Sequence, residues 1–282
     1  MLGPKKHYKK NGTPTMGGVV FIVSISLTYL FFLFINNSLS IEYLMLLFPF
    51  LFYGIIGFVD DYIKVIKQNN NGLSVKKKFI LQLIFAVLFV IFFNNWLQTT
   101  VNIFGYKVDF GLFYYVFIIL MFLGTTNATN LSDGLDGLVS GEILIILGST
   151  LFICNAFYLQ VLNIIVIGAV LGFFCYNVYP AKIFMGDVGS LSLGAYLCTF
   201  FIALKLEILL IVFCFVMVFE TISVILQVSY FKISKGKRIF KMTPFHHHLE
   251  LLGLEEFEVS IILWCITLIF SLFGILFYNY LF

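Results

Sequence analysis

Blocks of roughly 20 consecutive apolar residues recur along the whole chain. That is the length an α-helix needs to cross about 30 Å of hydrocarbon. The runs are continuously apolar rather than alternating, so barrel strands are not expected within them. Only 11% of the 282 residues are charged and 61% are hydrophobic, whereas a soluble domain carries about 25% charge. The chain therefore reads as an all-α, polytopic helical integral membrane protein, forming one domain over residues 1–282.

About nine spans are predicted, at 17–36, 41–59, 79–97, 112–127, 137–155, 159–177, 190–204, 208–229 and 259–281. Glycines near 186–194 predict a short or broken helix there. Of the 17 Lys and Arg residues, all but Lys107 and Lys205 fall on one side of this arrangement. The positive-inside rule then sets the N-terminus in the cytoplasm and the C-terminus outside. Five of the six aspartates, Asp60, Asp61, Asp133, Asp136 and Asp187, share the cytoplasmic side, as do His7 and His246 to His248. The cations follow topology, so no nucleic-acid partner is expected, but topology does not explain five aspartates among them. The five cysteines lie inside apolar runs without metal-ligand spacing and read as small buried hydrophobes. No cleaved signal is expected in the basic start "MLGPKKHYKKNG".

The polar segments carry the chemistry. In "FVDDYIKV", Lys64 follows Asp60 by four residues and Asp61 by three, one face of a helix. The pair reads either as a solvated, ion-paired helix end or as a divalent-metal or general-base pair, since hard cations take carboxylate oxygen. "NATNLSDGLDG" sets Asn127, Asn130, Asp133 and Asp136 three apart. Four positions at that spacing drift by about 180° around an ideal α-helix, so they line one surface only if the segment tightens or breaks at its glycines. "FMGDVGS" flanks Asp187 with Gly186 and Gly189 and lacks the Lys of a P-loop. "PFHHHLE" offers three consecutive histidines, suited to phosphate contact or proton transfer more than to zinc. "KKNGTPTMGG" reads alone as a loop. Clustered acids, cations and amides at one membrane boundary suit phosphoryl transfer from a soluble nucleotide-activated donor to a lipid phosphate.

Five strings carry a resemblance: "GTPTMGG" at 12–18, "FVDDYIKV" at 58–65, "NATNLSDGLDGL" at 127–138, "YNVYPAKIFMGDVGSLSLG" at 176–194 and "PFHHHLELLG" at 244–253. Together and in this order they resemble the phospho-N-acetylmuramoyl-pentapeptide-transferase family of the polyprenyl-phosphate sugar-1-phosphate transferase superfamily. The resemblance implies UDP-N-acetylmuramoyl-pentapeptide and undecaprenyl phosphate as substrates, lipid I and UMP as products, and Mg²⁺ as cofactor. It also implies a multi-pass protein of the bacterial inner membrane with its site on the cytoplasmic face; a homodimer is compatible with it. Asp187 would ligate Mg²⁺ with Asp60 and Asp61 beside it, and Asp60 would be base or electrostatic partner for the lipid phosphate. Lys64, Lys76 and Lys78 would hold phosphate. His7, Lys10, Asn127, Asn130, Asp133, Asp136 and Asn177 match polar positions of the donor site, Phe184 matches an aromatic that stacks on uracil, and His246, His247 and His248 match a catalytic histidine motif. The family usually has ten spans, one of them ahead of "GTPTMGG". Two alternatives compete: a polyprenyl-phosphate N-acetylhexosamine-1-phosphate transferase, and an anionic-solute transporter, for which Glu142 and Glu220 are the intramembrane candidates.

Overall fold

The computed structural model describes residues 12–67, 72–103 and 105–281. In chain order the helices are α1 (Gly18–Ile35), α2 (Ile41–Leu44), α3 (Leu47–Lys67), α4 (Val75–Phe93), α5 (Phe113–Ser132), α6 (Leu138–Thr150), α7 (Phe157–Asn177), α8 (Gly186–Ala203), α9 (Leu209–Phe213), α10 (Phe215–Ile233), α11 (Phe245–Leu251) and α12 (Glu256–Leu281). Between α4 and α5 a small antiparallel hairpin pairs β1 (Thr100–Ile103) with β2 (Tyr106–Asp109). It lies in the polar segment between two predicted spans, where no strand was expected.

Among the described residues, seven helical segments are long and apolar enough to cross a membrane: 18–35, 41–67, 113–132, 157–177, 186–203, 215–233 and 256–280. The other two predicted spans correspond to α4, which opens on Lys76, Lys77 and Lys78, and to α6, which is only 13 residues long. Two predicted loops are shortened by helix. α3 runs on to Lys67, so Asp60 and Asp61 lie within it, and α5 runs on to Ser132.

The bundle is arranged around α8, 83% of which is buried, against 28–50% for the other six spans. α1, α3 and α5 pack on it. The predicted break at 186–194 does not occur: α8 is continuous from Gly186. Its small residues serve close approach instead, as between helices in lipid. A Cβ on Gly18 would stand 2.4 Å from Gly189 Cα, and one on Gly194 would stand 2.7 Å from Thr126 Cα. Cys154, Cys198 and Cys214 are buried as expected, whereas Cys175 and Cys265 face outward. Outward apolar side chains such as Leu27, Phe31 and Phe34 are at least 64% exposed on α1, the surface a lipid-facing helix presents.

"GTPTMGG" is more than a loop. It docks on the segment before α8, where Phe184 N–H donates to Pro14 O (2.9 Å), Gly17 N–H to Phe184 O (2.9 Å) and Gly18 N–H to Met185 O (3.0 Å). The chain start thus holds the entry to α8, and with it Asp187.

Candidate active site

The end of α3 and the first turn of α8 bring three carboxylates together. Asp60 and Asp61 are each 3% exposed, and ligand oxygens of Asp60, Asp61 and Asp187 lie within 4.8 Å of one another. At an effective dielectric of about 20, two unit charges 4 Å apart interact by roughly 4 kcal/mol. Such a trio therefore needs counter-charge.

Lys64 supplies the first part. Its Nζ lies 2.6 Å from Asp60 Oδ2, 3.2 Å from Asp61 Oδ1 and 2.8 Å from Asp187 Oδ2. Lys78, from the first turn of α4, adds a second contact at 2.8 Å to Asp187 Oδ2. Three carboxylates and two ammoniums leave the cluster with one negative charge in excess.

Backbone donors complete the cradle. Leu73 N–H donates to Asp60 Oδ1 (2.6 Å), and Val188 N–H, at the α8 N-terminus, donates to Asp61 Oδ2 (3.1 Å). A carboxylate is favoured there by the helix dipole and the unpaired N–H groups. Gly186 is required twice: its φ is +71°, and a Cβ on it would stand 2.3 Å from Asp61 Oδ2. Gly72 leaves similar room for Asp60 Oδ1, at 2.5 Å. Gly57 lets α3 approach the Asp187 carbonyl oxygen, 2.2 Å from where its Cβ would be.

Asn130 of α5 orients Asp187. Its Nδ2 donates to Asp187 Oδ1 (2.9 Å) and Ser190 Oγ (2.9 Å), while its Oδ1 accepts from Lys78 Nζ (3.3 Å). Asn127, one turn earlier, points elsewhere, donating to Gln82 Oε1 (2.9 Å) and Leu123 O (2.8 Å). α5 ends at Ser132 with Asp133 as its C-cap, and Gly137, at φ +73°, starts α6. The helix does break at the glycines, and the hydrogen bonds of Asn127 and Asn130 go to different partners. Asp136, 4% exposed, accepts from Ala181 N–H (2.8 Å), and its own N–H donates to Glu256 Oε1 (2.6 Å). Asn177, 3% exposed, accepts from Ser140 Oγ (2.7 Å) and donates to Ile183 O (3.0 Å). Both residues thus tie down the segment 178–185, which carries Phe184 to the doorstep of Asp187.

The three histidines have three environments. His246 is fully buried beside Glu220, so its ring is not open to a donor in this arrangement. His247 Nδ1 is 2.8 Å from Glu250 Oε2, and His248 Nδ1 accepts from Lys241 N–H (3.1 Å). Lys76 is exposed and makes no contact with the acids among the described residues. His7 and Lys10 lie outside the described residues.

Sequence reasoning missed Ser190 and Gln82 as neighbours of the site, and weighed Glu220 only as an intramembrane candidate of the transporter alternative. Ser190 lies three residues after Asp187 on α8, a helical neighbour. Gln82 and Glu220 are lone polar residues in apolar spans, a signal that should have prompted a search for partners.

Solvent reaches the cluster through Lys64, whose side chain is 32% exposed, and through Asp187 at 17%. The arrangement offers oxygen ligands for a hard cation and ammonium groups for phosphate, all at the end of membrane-spanning helices.

Comparison with known proteins points the same way. The model of glycosyl transferase family 4 matches residues 43–205. Signature 1 of phospho-N-acetylmuramoyl-pentapeptide-transferase matches residues 10–22, a stretch that includes Pro14, Gly17 and Gly18, which dock before α8. The phospho-N-acetylmuramoyl-pentapeptide-transferase of Halalkalibacterium halodurans is 46% identical over 279 residues, 97% of this chain and 86% of that protein. That of Bacillus subtilis is 46% identical over the same shares. That of Listeria monocytogenes is 44% identical over 275 residues, 95% of this chain and 84% of its own length.

Proposed function

This chain belongs to the phospho-N-acetylmuramoyl-pentapeptide-transferase family, and on that premise we propose how its acid–lysine cluster carries out the transfer. It is a membrane-embedded transferase of peptidoglycan synthesis. The donor is UDP-N-acetylmuramoyl-pentapeptide, the acceptor is undecaprenyl phosphate, and the products are lipid I and UMP. The observation that carries the reading is the convergence of Asp60, Asp61 and Asp187 on Lys64 Nζ at 2.6–3.2 Å.

A cation already stands where the three carboxylates meet, and the cluster keeps one negative charge in excess. A donor set of carboxylate oxygens suits Mg²⁺, which keeps waters and completes its shell with substrate phosphate. Asp187, Asp60 and Asp61 are the residues that would hold it. When bound it would act as a Lewis acid that offsets charge on the pyrophosphate.

The chain's own groups do the rest. Lys64 and Lys78 turn from the carboxylates to hold phosphate oxygens, and Asn130 keeps Asp187 oriented. Asp60 accepts the proton of the lipid phosphate monoester. The freed phosphate oxygen then attacks the sugar-linked phosphorus of the donor; a P–O bond forms there as the P–O bond to UMP breaks, and UMP departs with the electron pair. The apolar trough between α5 and α10, about 380 Å³ and lined by Leu120, Gly124, Ala128, Met217 and Ile222, suits the prenyl chain. Its lining on α5 runs from Phe117 to Ala128, toward the end of that helix that carries Asn130. The crowding of cations on one side of the spans supports a cytoplasmic site, in keeping with a soluble nucleotide donor.

The test is transfer to undecaprenyl phosphate in detergent with Mg²⁺. Lipid I formation from the muramoyl donor, with no stoichiometric UMP burst when lipid is omitted, supports single displacement. A burst that vanishes in Asp60→Asn would instead make Asp60 a nucleophile.

A further inference from the structure

Glu220 of α10 sits inside the bundle with 0% exposure. A carboxylate in such surroundings is costly unless its oxygens are engaged. Its partner is His246, also 0% exposed. The His246 backbone N–H reaches Glu220 Oε1 at 3.0 Å and Oε2 at 3.3 Å, and His246 Nδ1 lies 3.3 Å from Oε2. Among the described residues neither ring nitrogen of His246 makes a hydrogen bond. The ring is instead wedged. His247 packs edge-on at 4.2 Å between centroids, and Gly134 closes the other side, where a Cβ would stand 2.3 Å from Nε2.

Gly134 belongs to the turn that follows α5, four residues beyond Asn130, which holds Asp187. A continuous path therefore runs from Glu220 through His246 and the Gly134 turn to the acid–lysine cluster. We propose that Glu220 is a positioning residue of the transfer reaction: it clamps His246, and the clamped ring sets the height of the α5–α6 turn over the cluster. The inference rests on the transferase reading above. Glu220 touches no reacting atom; it acts through His246. A displacement of about 1 Å at reacting groups can cost roughly a hundredfold in rate, so a clamp of this kind acts on kcat.

The test compares purified full-length Glu220→Gln, Glu220→Ala, Gly134→Ala and the Glu220→Ala/Gly134→Ala double variant, by transfer kinetics and by amide hydrogen exchange over residues 243–251. Glu220→Gln keeps an acceptor for the His246 N–H, so protection is retained and kcat stays within about threefold of wild type. Glu220→Ala loses that protection. Glu220→Ala and Gly134→Ala each lower kcat roughly tenfold or more, with donor KM within about threefold. Because both act through one ring, the double variant is no slower than the slower single variant. Multiplied losses in the double variant, wild-type kcat in Glu220→Ala, or unchanged protection in Glu220→Ala overturns the proposal. Should Glu220→Ala not fold, Gly134→Ala carries the test, and wild-type kcat and exchange there also overturn it. A wild-type chain that transfers nothing speaks against the reaction assigned above, while the exchange data still judge the clamp.

Discussion

Lys64 Nζ lies 2.8 Å from Asp187 Oδ2, although 123 residues of chain separate them. The contact joins the last turns of α3 to the first turn of α8 and makes one site of two distant motifs. Lys64 also touches Asp60 and Asp61, so it is the cation shared by all three acids.

Replacing that cation tests whether its shape matters as well as its charge. Lys64→Met removes the counter-charge and a phosphate ligand together, and transfer should fall by at least roughly a hundredfold. Lys64→Arg should not restore it. A planar guanidinium neither stands as a point charge 2.6–3.2 Å from three separate carboxylates nor swings from them to a phosphate oxygen as a compact ammonium does. Steady-state kcat of both variants decides this, and near-normal turnover of Lys64→Arg would count against a shared point cation.

Gly186 gives a test of the cradle itself. Gly186→Ala meets both a positive φ and a carboxylate oxygen 2.3 Å from the new Cβ. A stability loss of about 1–3 kcal/mol and a clear drop in transfer are expected. Gly168→Ala is the control, since nothing lies within 4 Å of its Cβ position. Thermal unfolding in detergent and transfer rates read both, and equal behaviour of the two variants would contradict the close fit at Gly186.

Sidedness is open to direct labelling. In a cysteine-free background, single cysteines within 65–78 and 234–244 should react with an impermeant reagent only from the cytoplasm, and one within 98–111 only from outside. The expectation comes from the one-sided distribution of Lys and Arg. Reaction of both groups from the same side would break the topology.

Much of this was legible in the sequence because it is local. Apolar run length predicted the helical passes, and i, i+3 and i, i+4 spacing predicted that Lys64 pairs with Asp60 and Asp61. What was not legible depends on distant partners. Glycine reads as a helix breaker by propensity, yet in α8 Gly189 and Gly194 are where α1 and α5 come close. Asp136 and Asn177 read as ligand groups in the sequence; that they also hydrogen-bond to the 178–185 segment, α6 and α12 could not be seen there. Three identical histidines acquire different environments because only the first is buried, with its backbone N–H on Glu220, 26 residues away. The length of α3, on past Lys64 to Lys67, was not legible, because charged residues at the end of an apolar run resemble a loop.

The most direct measurement is Mn²⁺ binding by electron paramagnetic resonance to the purified wild type and to Asp187→Asn, with transfer followed in the same samples. Asp187→Asn keeps the side-chain volume and removes a charged oxygen from the trio. Wild type should bind one Mn²⁺ that Mg²⁺ displaces. Asp187→Asn should bind at least roughly a hundredfold more weakly and lose transfer by about a thousandfold or more. Full transfer by wild type in excess chelator, or Asp187→Asn that keeps both its bound Mn²⁺ and its turnover, would contradict the assignment of the metal to Asp60, Asp61 and Asp187.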